Sequence, residues 1–354
     1  MTPVPVAILT GFLGAGKTTV LNALLRDPAF AETAVLINEF GDVQIDHDLV
    51  AEFSDELVTT NTGCLCCTAS SDLKQSLFDL WMRRQIGKVP AFQRVFVETT
   101  GLVDPVPVVG TLLAPPSADF VDRTVAQQFA LAQVITLFDA INGPMTLERH
   151  IEAVKQVGLA DAVVITKTDL AHRPAAQRDF QADRGRLATI NPGAQLLDRH
   201  KDWHKIRSLL LARGTYDLRT RGEDALAWLK AEMMPGAQEH GHTHGDHSRH
   251  GEGICSHAIV VDEPITPVIF HFFLDALKMS AGPDLLRVKG LVALTDDPQR
   301  PVVVHGVQHL IHTIDRLDRW PSGDRRTRLV VIGRNLKVDA MRSILTATKR
   351  NARQ

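Results

Sequence analysis

The stretch Gly11-Phe-Leu-Gly-Ala-Gly-Lys-Thr-Thr19 constrains the fold of this chain more than any other. It follows the apolar run Val4–Thr10 and opens onto Thr18–Arg26, a helix-like pattern. Strand, glycine-rich loop and helix come in that order, and Gly11, Gly16, Lys17 and Thr18 fill the spacing G-x-x-x-x-G-K-[ST]. Glycines let backbone N–H groups curl around a phosphate, and the following helix N-terminus adds a favourable dipole. Lys17 is spaced to reach the β- and γ-phosphates, and the Thr18 hydroxyl to ligate Mg²⁺. An ordinary βα turn is the competing reading, and the flanking strand and helix count against it. The stretch reads as the phosphate loop of a nucleotide-binding protein.

The following residues alternate between short apolar runs and helical patterns. Strands are expected at Val4–Thr10, Ala34–Ile37, Leu57–Thr59, Arg94–Val97, Ala132–Phe138, Ala162–Ile165 and Gln195–Leu197. Helices are expected at Asp72–Arg84, Pro105–Leu113, Met145–Val157, Ala175–Thr189 and Ala225–Met233. Strands spaced by helices predict an α/β P-loop NTPase domain with a mostly parallel sheet, ligands lying at the carboxyl ends of its strands. Composition changes at Pro235, where a Gly/His/Asp-rich stretch without apolar periodicity begins. Beyond it, strand patterns at His257–Val261, Leu285–Leu294, Val302–His305 and Leu329–Ile332 and helical ones at Val268–Met279 and Val338–Thr348 predict a smaller α+β domain. The expected division is 1–234, a linker or loop at 235–256, and 257–350.

Composition narrows the class. A chain of 354 residues with 44% hydrophobic and 23% charged residues is that of an ordinary globular protein, large enough for two cores. A formal net charge of −2 argues against a general nucleic-acid binder. No apolar run is long enough to span a membrane, and the N-terminus enters a strand directly, so a cytoplasmic protein is expected. Trp203 and Trp228 read as core rather than as binding platforms.

Two further segments fit nucleotide chemistry. Val163-Val-Ile-Thr-Lys-Thr-Asp169 is a strand running into a variant of the N/T-K-x-D guanine reader, with Thr166 at its first position. Asp169 can accept from guanine N1–H and N2–H, and Lys167 can lay its stem along the base; adenine would leave that carboxylate unpaired. An incidental helix cap is the alternative. In Phe96-Val-Glu98-Thr-Thr-Gly101, Glu98 ends a strand beside the loop and can polarise, or hold the metal through, Mg²⁺-bound water. Gly101 can donate its N–H to the γ-phosphate and so couple nucleotide state to the following segment.

Metal chemistry is suggested twice. Cys64, Cys66 and Cys67 account for three of the four cysteines, and thiolates so close suit Zn²⁺ or Cu(I). Among the carboxylates Glu39, Asp42 and Asp46 of the preceding polar segment, Asp42 is the favoured fourth ligand. Buried structural cysteines are the alternative. The tract His240-Gly-His242-Thr-His244-Gly-Asp-His247-Ser-Arg-His250 is a pliable run of imidazoles that can converge on one ion, or simply a polar linker.

The combination of Gly11–Thr19, Asn38-Glu-Phe-Gly41, Cys64-Leu-Cys66-Cys67, Glu98-Thr-Thr-Gly101 and Thr166-Lys-Thr-Asp169 resembles CobW-like P-loop GTPases. That family includes zinc-regulated metallochaperones and relatives of the urease and hydrogenase nickel-insertion GTPases. The second half resembles the family's C-terminal domain, notably at Leu285-Leu-Arg-Val-Lys-Gly290, His305-Gly-Val-Gln-His309 and Asp324–Gly333. The resemblance implies a GTP- and Mg²⁺-dependent hydrolase that binds a transition metal, zinc or else cobalt in cobalamin biosynthesis, at the Cys-x-Cys-Cys site. By position, the loop Gly11, Gly14, Ala15, Gly16, Lys17, Thr18 and Thr19 would hold phosphates and Mg²⁺. Thr166, Lys167 and Asp169 would read guanine, and Cys64, Cys66 and Cys67 would mark the metal site. The family often has Glu where this chain has Asp42, a shorter carboxylate.

The expected function is a GTPase metallochaperone that hands its metal to a client metalloprotein, with slow basal turnover because no arginine finger is evident. The expected partners are GTP, the metal ion and that client, with neither membrane nor nucleic acid; a homo-oligomer stays open. A store or sensor of metal that uses GTP only as a structural switch is the alternative, and an ATP-dependent kinase is a third reading.

Overall fold

A computed structural model of the protein describes residues 2–38, 58–60, 65–171, 180–212, 254–281, 284–308 and 310–346. Two compact units divide the chain, Met1–Arg184 with Gln195–Asp217 and Gly185–Ala194 with Leu218–Gln354.

In the first unit, strand β1 (Val4–Gly11) leads into helix α1 (Lys17–Leu25), and β2 (Thr33–Asn38) and β3 (Val58–Thr60) follow. Helix α2 (Leu65–Gln85) precedes β4 (Arg94–Thr99), α3 (Pro105–Leu113), α4 (Phe120–Gln128) and β5 (Phe129–Asp139). Then come α5 (Gly143–Arg149), α6 (Ile151–Leu159), β6 (Ala162–Thr166), α7 (Thr168–Ala171), α8 (Phe180–Ile190, of which the residues after Arg184 belong to the second unit), β7 (Gln195–Asp198) and α9 (Trp203–Leu211). The seven strands form one sheet in the order β3-β2-β4-β1-β5-β6-β7, and every pairing among the described residues is parallel.

The reason lies in the apolar runs. β1, β5 and β6 carry buried residues on both faces, which only a sheet covered by helices on each side can accommodate. One core packs Leu9, Phe96, Leu137 and Val164 of the sheet against Leu21 and Leu24 of α1 and Ile206 and Leu210 of α9. Each such side chain contributes roughly 1.5–3 kcal/mol on full burial. Because β1 has β4 on one side and β5 on the other, the strand order reverses there, and the register aligns the strand ends. Leu9 pairs with Glu98, Gly11 with Leu137, and Asp139 with Thr166. The crevice outside a reversal of this kind is where open α/β sheets bind ligands.

The second unit holds an antiparallel sheet of β8 (Ile254–Val261), β9 (Leu285–Val292), β10 (Val302–Val307), β11 (Leu310–Arg316) and β12 (Thr327–Arg334), ordered β11-β10-β9-β12-β8. Helix α10 (Pro267–Ala281) contributes Phe270, Phe273, Leu274 and Leu277 to the core of this unit, at the three- and four-residue spacing of one helix face. Helix α11 (Val338–Leu345) adds Met341 and Leu345. The smaller α+β domain is thus present. No described helix is long and apolar enough to cross a membrane.

Several expected elements change. The single helix over Met145–Val157 is two, because His150 is extended (φ −132°, ψ 113°) and its ring packs on Phe12 with centroids 4.6 Å apart. Helix α2 begins at Leu65 rather than Asp72, so Cys66 and Cys67 lie in its first turn. Helices α4 and α9 and the edge strand β11 were not expected from the sequence. In the basic run Asp324–Arg328, Arg328 is buried, with Nη1 3.4 Å from Asp324 Oδ2, and Arg326 binds the same carboxylate. Trp203 is half-buried against the first core, as expected, with the Arg199 guanidinium 3.8 Å over its ring. Trp228 and the helix expected at Ala225–Met233 lie outside the described residues.

Candidate nucleotide-binding site

The loop between β1 and α1 bends through Gly14 and Gly16, whose φ angles of +72° and +88° are costly for any residue with a Cβ. Ala15 is buried within it, and Thr19 faces outward on the first turn of α1. The Lys17 ammonium curls back over the loop and donates to the carbonyls of Gly11 (2.9 Å) and Phe12 (3.3 Å). The charge therefore stands above the same backbone that the motif assigns to phosphate. Thr18, one position on, donates its hydroxyl to Glu98 Oε1 at 2.9 Å across 80 residues of sequence. Glu98 is buried at the end of β4. A hydroxyl and a carboxylate brought together beside a phosphate loop are hard oxygen donors of the kind Mg²⁺ takes, and the pair fits that ion. Behind them, Thr99 donates to Thr10 at 2.9 Å, tying the ends of β4 and β1.

The base-reading segment is built on β6. Thr166 is buried, and its hydroxyl donates to the carbonyls of Ala15 (2.8 Å) and Phe138 (3.2 Å). One side chain thereby fastens the phosphate loop to the strand that carries Lys167 and Asp169. Lys167 has a positive φ of 58°, and its ammonium is 2.8 Å from Asp139 Oδ2. Asp139 also accepts from the backbone N–H groups of Ile141 and Asn142 and from Asn142 Nδ2. Burial works against ionising this carboxyl, but the bonds from Lys167, Ile141 and Asn142 outweigh it and hold it below the usual carboxylate range. The Lys167 side chain is thereby anchored at its tip.

Asp169 itself is open to solvent, and its Oδ1 lies 3.1 Å from His200 Nε2. His200 comes from the turn after β7, where buried Asp198 accepts from the N–H groups of His200 (2.8 Å) and Lys201 (3.1 Å) and from Thr168 Oγ1 (3.2 Å). The structure thus brings Glu98 of β4 to Thr18 beside the loop of Gly11, Gly14, Ala15, Gly16 and Lys17, and ties that loop at Ala15 to Thr166, the residue before Lys167 and three before Asp169. Gly101 is buried on the segment after β4.

Sequence reading missed Asp139, Asp198 and His200. The available signal was position: Asp139 and Asp198, like Glu98, are acids closing apolar runs at the carboxyl edge of the sheet. On the metal side, Cys66 and Cys67 belong to the first turn of α2, while Cys64, Asp42 and His240, His242, His244 and His247 lie outside the described residues. No cluster of three metal-ligating side chains occurs among the described residues.

Known proteins share both the sequence pattern and the fold. The zinc chaperone YjiA of Escherichia coli K12 is 28% identical over 99% of this chain and 100% of its own length. The zinc chaperone CobW of a Sinorhizobium species is 28% identical over 97% of each chain. In fold, the chain is similar to the crystal structure of the Zn(II)-bound YjiA GTPase of E. coli, with a TM-score of 0.68 and 24% identity over 98% of this chain and 99% of that one. Residues 254–349 match the cobalamin synthesis protein cobW C-terminal domain. Residues 5–198, more than half of the chain, match the CobW/HypB/UreG nucleotide-binding domain, and the protein belongs to that family.

Proposed function

We propose that the protein is a GTPase metallochaperone, which binds a transition metal, zinc first among the candidates, and releases it to a client protein according to nucleotide state. The observation that carries the reading is the 2.9 Å hydrogen bond from Thr18, in the first turn of α1 directly after the phosphate loop, to Glu98 near the end of β4. Zinc chaperones similar to this chain over nearly their whole length support the cargo.

In this reading the loop N–H groups and Lys17 hold the β- and γ-phosphates, while Lys167 and Asp169 select guanine. Thr18 and Glu98 would hold Mg²⁺, which when bound offsets the charge on those phosphates. Glu98 orients the water that attacks the γ-phosphorus in line, and no described arginine takes the finger's part in this scheme, so basal turnover is slow. Helix α2 starts one residue after Cys64 and ends ahead of β4, so Cys66 and Cys67 sit on the stretch of chain between phosphate loop and Glu98. Metal at the cysteines and γ-phosphate at the loop would then bias the same segment, which makes metal affinity depend on nucleotide. Asp42 is the proposed fourth ligand, and the histidine tract an additional reservoir.

The test is zinc affinity of Cys66→Ala and of wild type, each with GDP and with a non-hydrolysable GTP analogue. Wild type should bind zinc with affinities differing about fivefold or more between the two nucleotides, and the variant should lose both affinity and difference. Unchanged affinity in both states would end the coupling. Lys17→Ala separates delivery from storage, because a reservoir keeps its zinc capacity whereas a delivery protein stops transferring.

A further inference from the structure

Helix α6 grips the segment that follows Glu98 at three points. Gln156 is fully buried, and its Nε2 donates to the carbonyls of Gly101 (3.1 Å) and Val103 (3.3 Å). The neighbouring Lys155 reaches Asp104, the N-cap of α3, at 2.6 Å. The amide orientation is dictated by its surroundings, since two carbonyl acceptors admit only the NH₂ end. Gln156 is itself held, because Thr136 on β5 donates to its backbone carbonyl at 2.6 Å. On the other side, Gly101 presses on the phosphate loop: a Cβ at this position would stand 2.4 Å from Leu13 N. Leu13, Gly101, Gln156 and Thr136 therefore form one stack that runs from the phosphate loop through the segment after β4 to the core of the sheet.

Gln156 Oε1, in contrast, is buried and accepts no hydrogen bond among the described residues. A buried acceptor without a donor is unfavourable, and natural structures keep few of them.

We propose that Gln156 is a positioning residue for recognition of the γ-phosphate. It fixes the Gly101–Val103 backbone over the phosphate loop, and so sets where the Gly101 N–H stands when GTP rather than GDP is bound. The proposal rests on the GTPase reading above and adds the element that distinguishes the two nucleotides. Nothing about it requires Gln156 to touch the nucleotide.

The measurement is the affinity of full-length Gln156→Met for GDP and for a non-hydrolysable GTP analogue, with kcat, KM and the urea midpoint alongside. GDP affinity should stay within about twofold, because GDP makes no γ-phosphate contact. Analogue affinity and kcat should each fall about tenfold, less than the 10²–10³ that removing a preorganised donor outright costs. Equal loss of both nucleotides, or a lower urea midpoint with no change in either affinity, would overturn the proposal in favour of plain helix packing. If the methionine variant does not fold, Gln156→Asn keeps a polar group but falls one methylene short of Gly101 O, and the same split is expected. Failure of the underlying reading shows differently, as wild-type protein with no preference for guanine over adenine nucleotides.

Discussion

At the scale of single residues, the site is organised by carboxylates that sit behind the motif positions. Asp139 illustrates the physics. It is buried at the end of β5, yet four donors keep it ionised, and Lys167 is one of them. Replacing it by Asn should cost about 2 kcal/mol at neutral pH, the range for hydrogen bonds to a charged group. The folded-state value of its carboxyl is lowered, so the stabilisation is complete above the unfolded value of about 3.9 and disappears as pH falls through the lower folded value. Urea midpoints of wild type and Asp139→Asn should therefore differ clearly at about pH 7 and draw together in strong acid. A gap of the same size at both would show that the charge is not what Asp139 contributes. Asp139 was not singled out from the sequence because its one signal is its position at the end of an apolar run, with no motif around it. Lys167, its partner, was legible through the motif.

At the scale of elements, most strands and the helices with an apolar run of their own, such as α3, were readable, whereas α4 was not. Helix α4 has no strong apolar stripe of its own; Asp119 starts it by accepting from the N–H groups of Val121 (2.7 Å) and Asp122 (3.2 Å). Asp119→Ala should destabilise the protein by about 1 kcal/mol, visible as a lower urea midpoint with an unchanged slope. No effect would mean that tertiary contacts such as the Phe78–Phe120 ring pair (5.9 Å) hold the helix alone. The division at His150 is the opposite case. Met145, Leu147, Ile151, Val154 and Val157 keep an apolar rhythm across it, and no proline or glycine interrupts them. Packing of the imidazole on Phe12 accompanies the break, and the consequence is that α6 starts beside the phosphate loop before reaching Gly101 with Gln156.

At the scale of the whole molecule, two cores belong to two compact units, one built on a parallel sheet and one on an antiparallel sheet. The Gly/His/Asp-rich stretch that begins at Pro235 and precedes β8 lacks the apolar residues either core would need, and we propose it as an exposed connection ahead of the antiparallel sheet. Limited proteolysis of the intact protein should make its first cuts there and leave two resistant fragments. Early cuts within β1–α1 or within α10 would contradict two separately compact units.

The phosphate-loop motif, the alternating apolar runs and the guanine-reader variant determined by themselves that the chain builds an α/β nucleotide-binding unit and an α+β unit. They could do so because loop geometry and strand burial are local demands on residue type. The contacts among Thr18 and Glu98, Thr166 and Ala15, Lys167 and Asp139, and Gln156 and Gly101 were decided only by tertiary structure. Each joins residues between 28 and 151 positions apart, and a parallel sheet places such residues side by side only once strand order and register are set. The phosphate loop of the sequence is thus one face of a stack whose other members no local pattern marks.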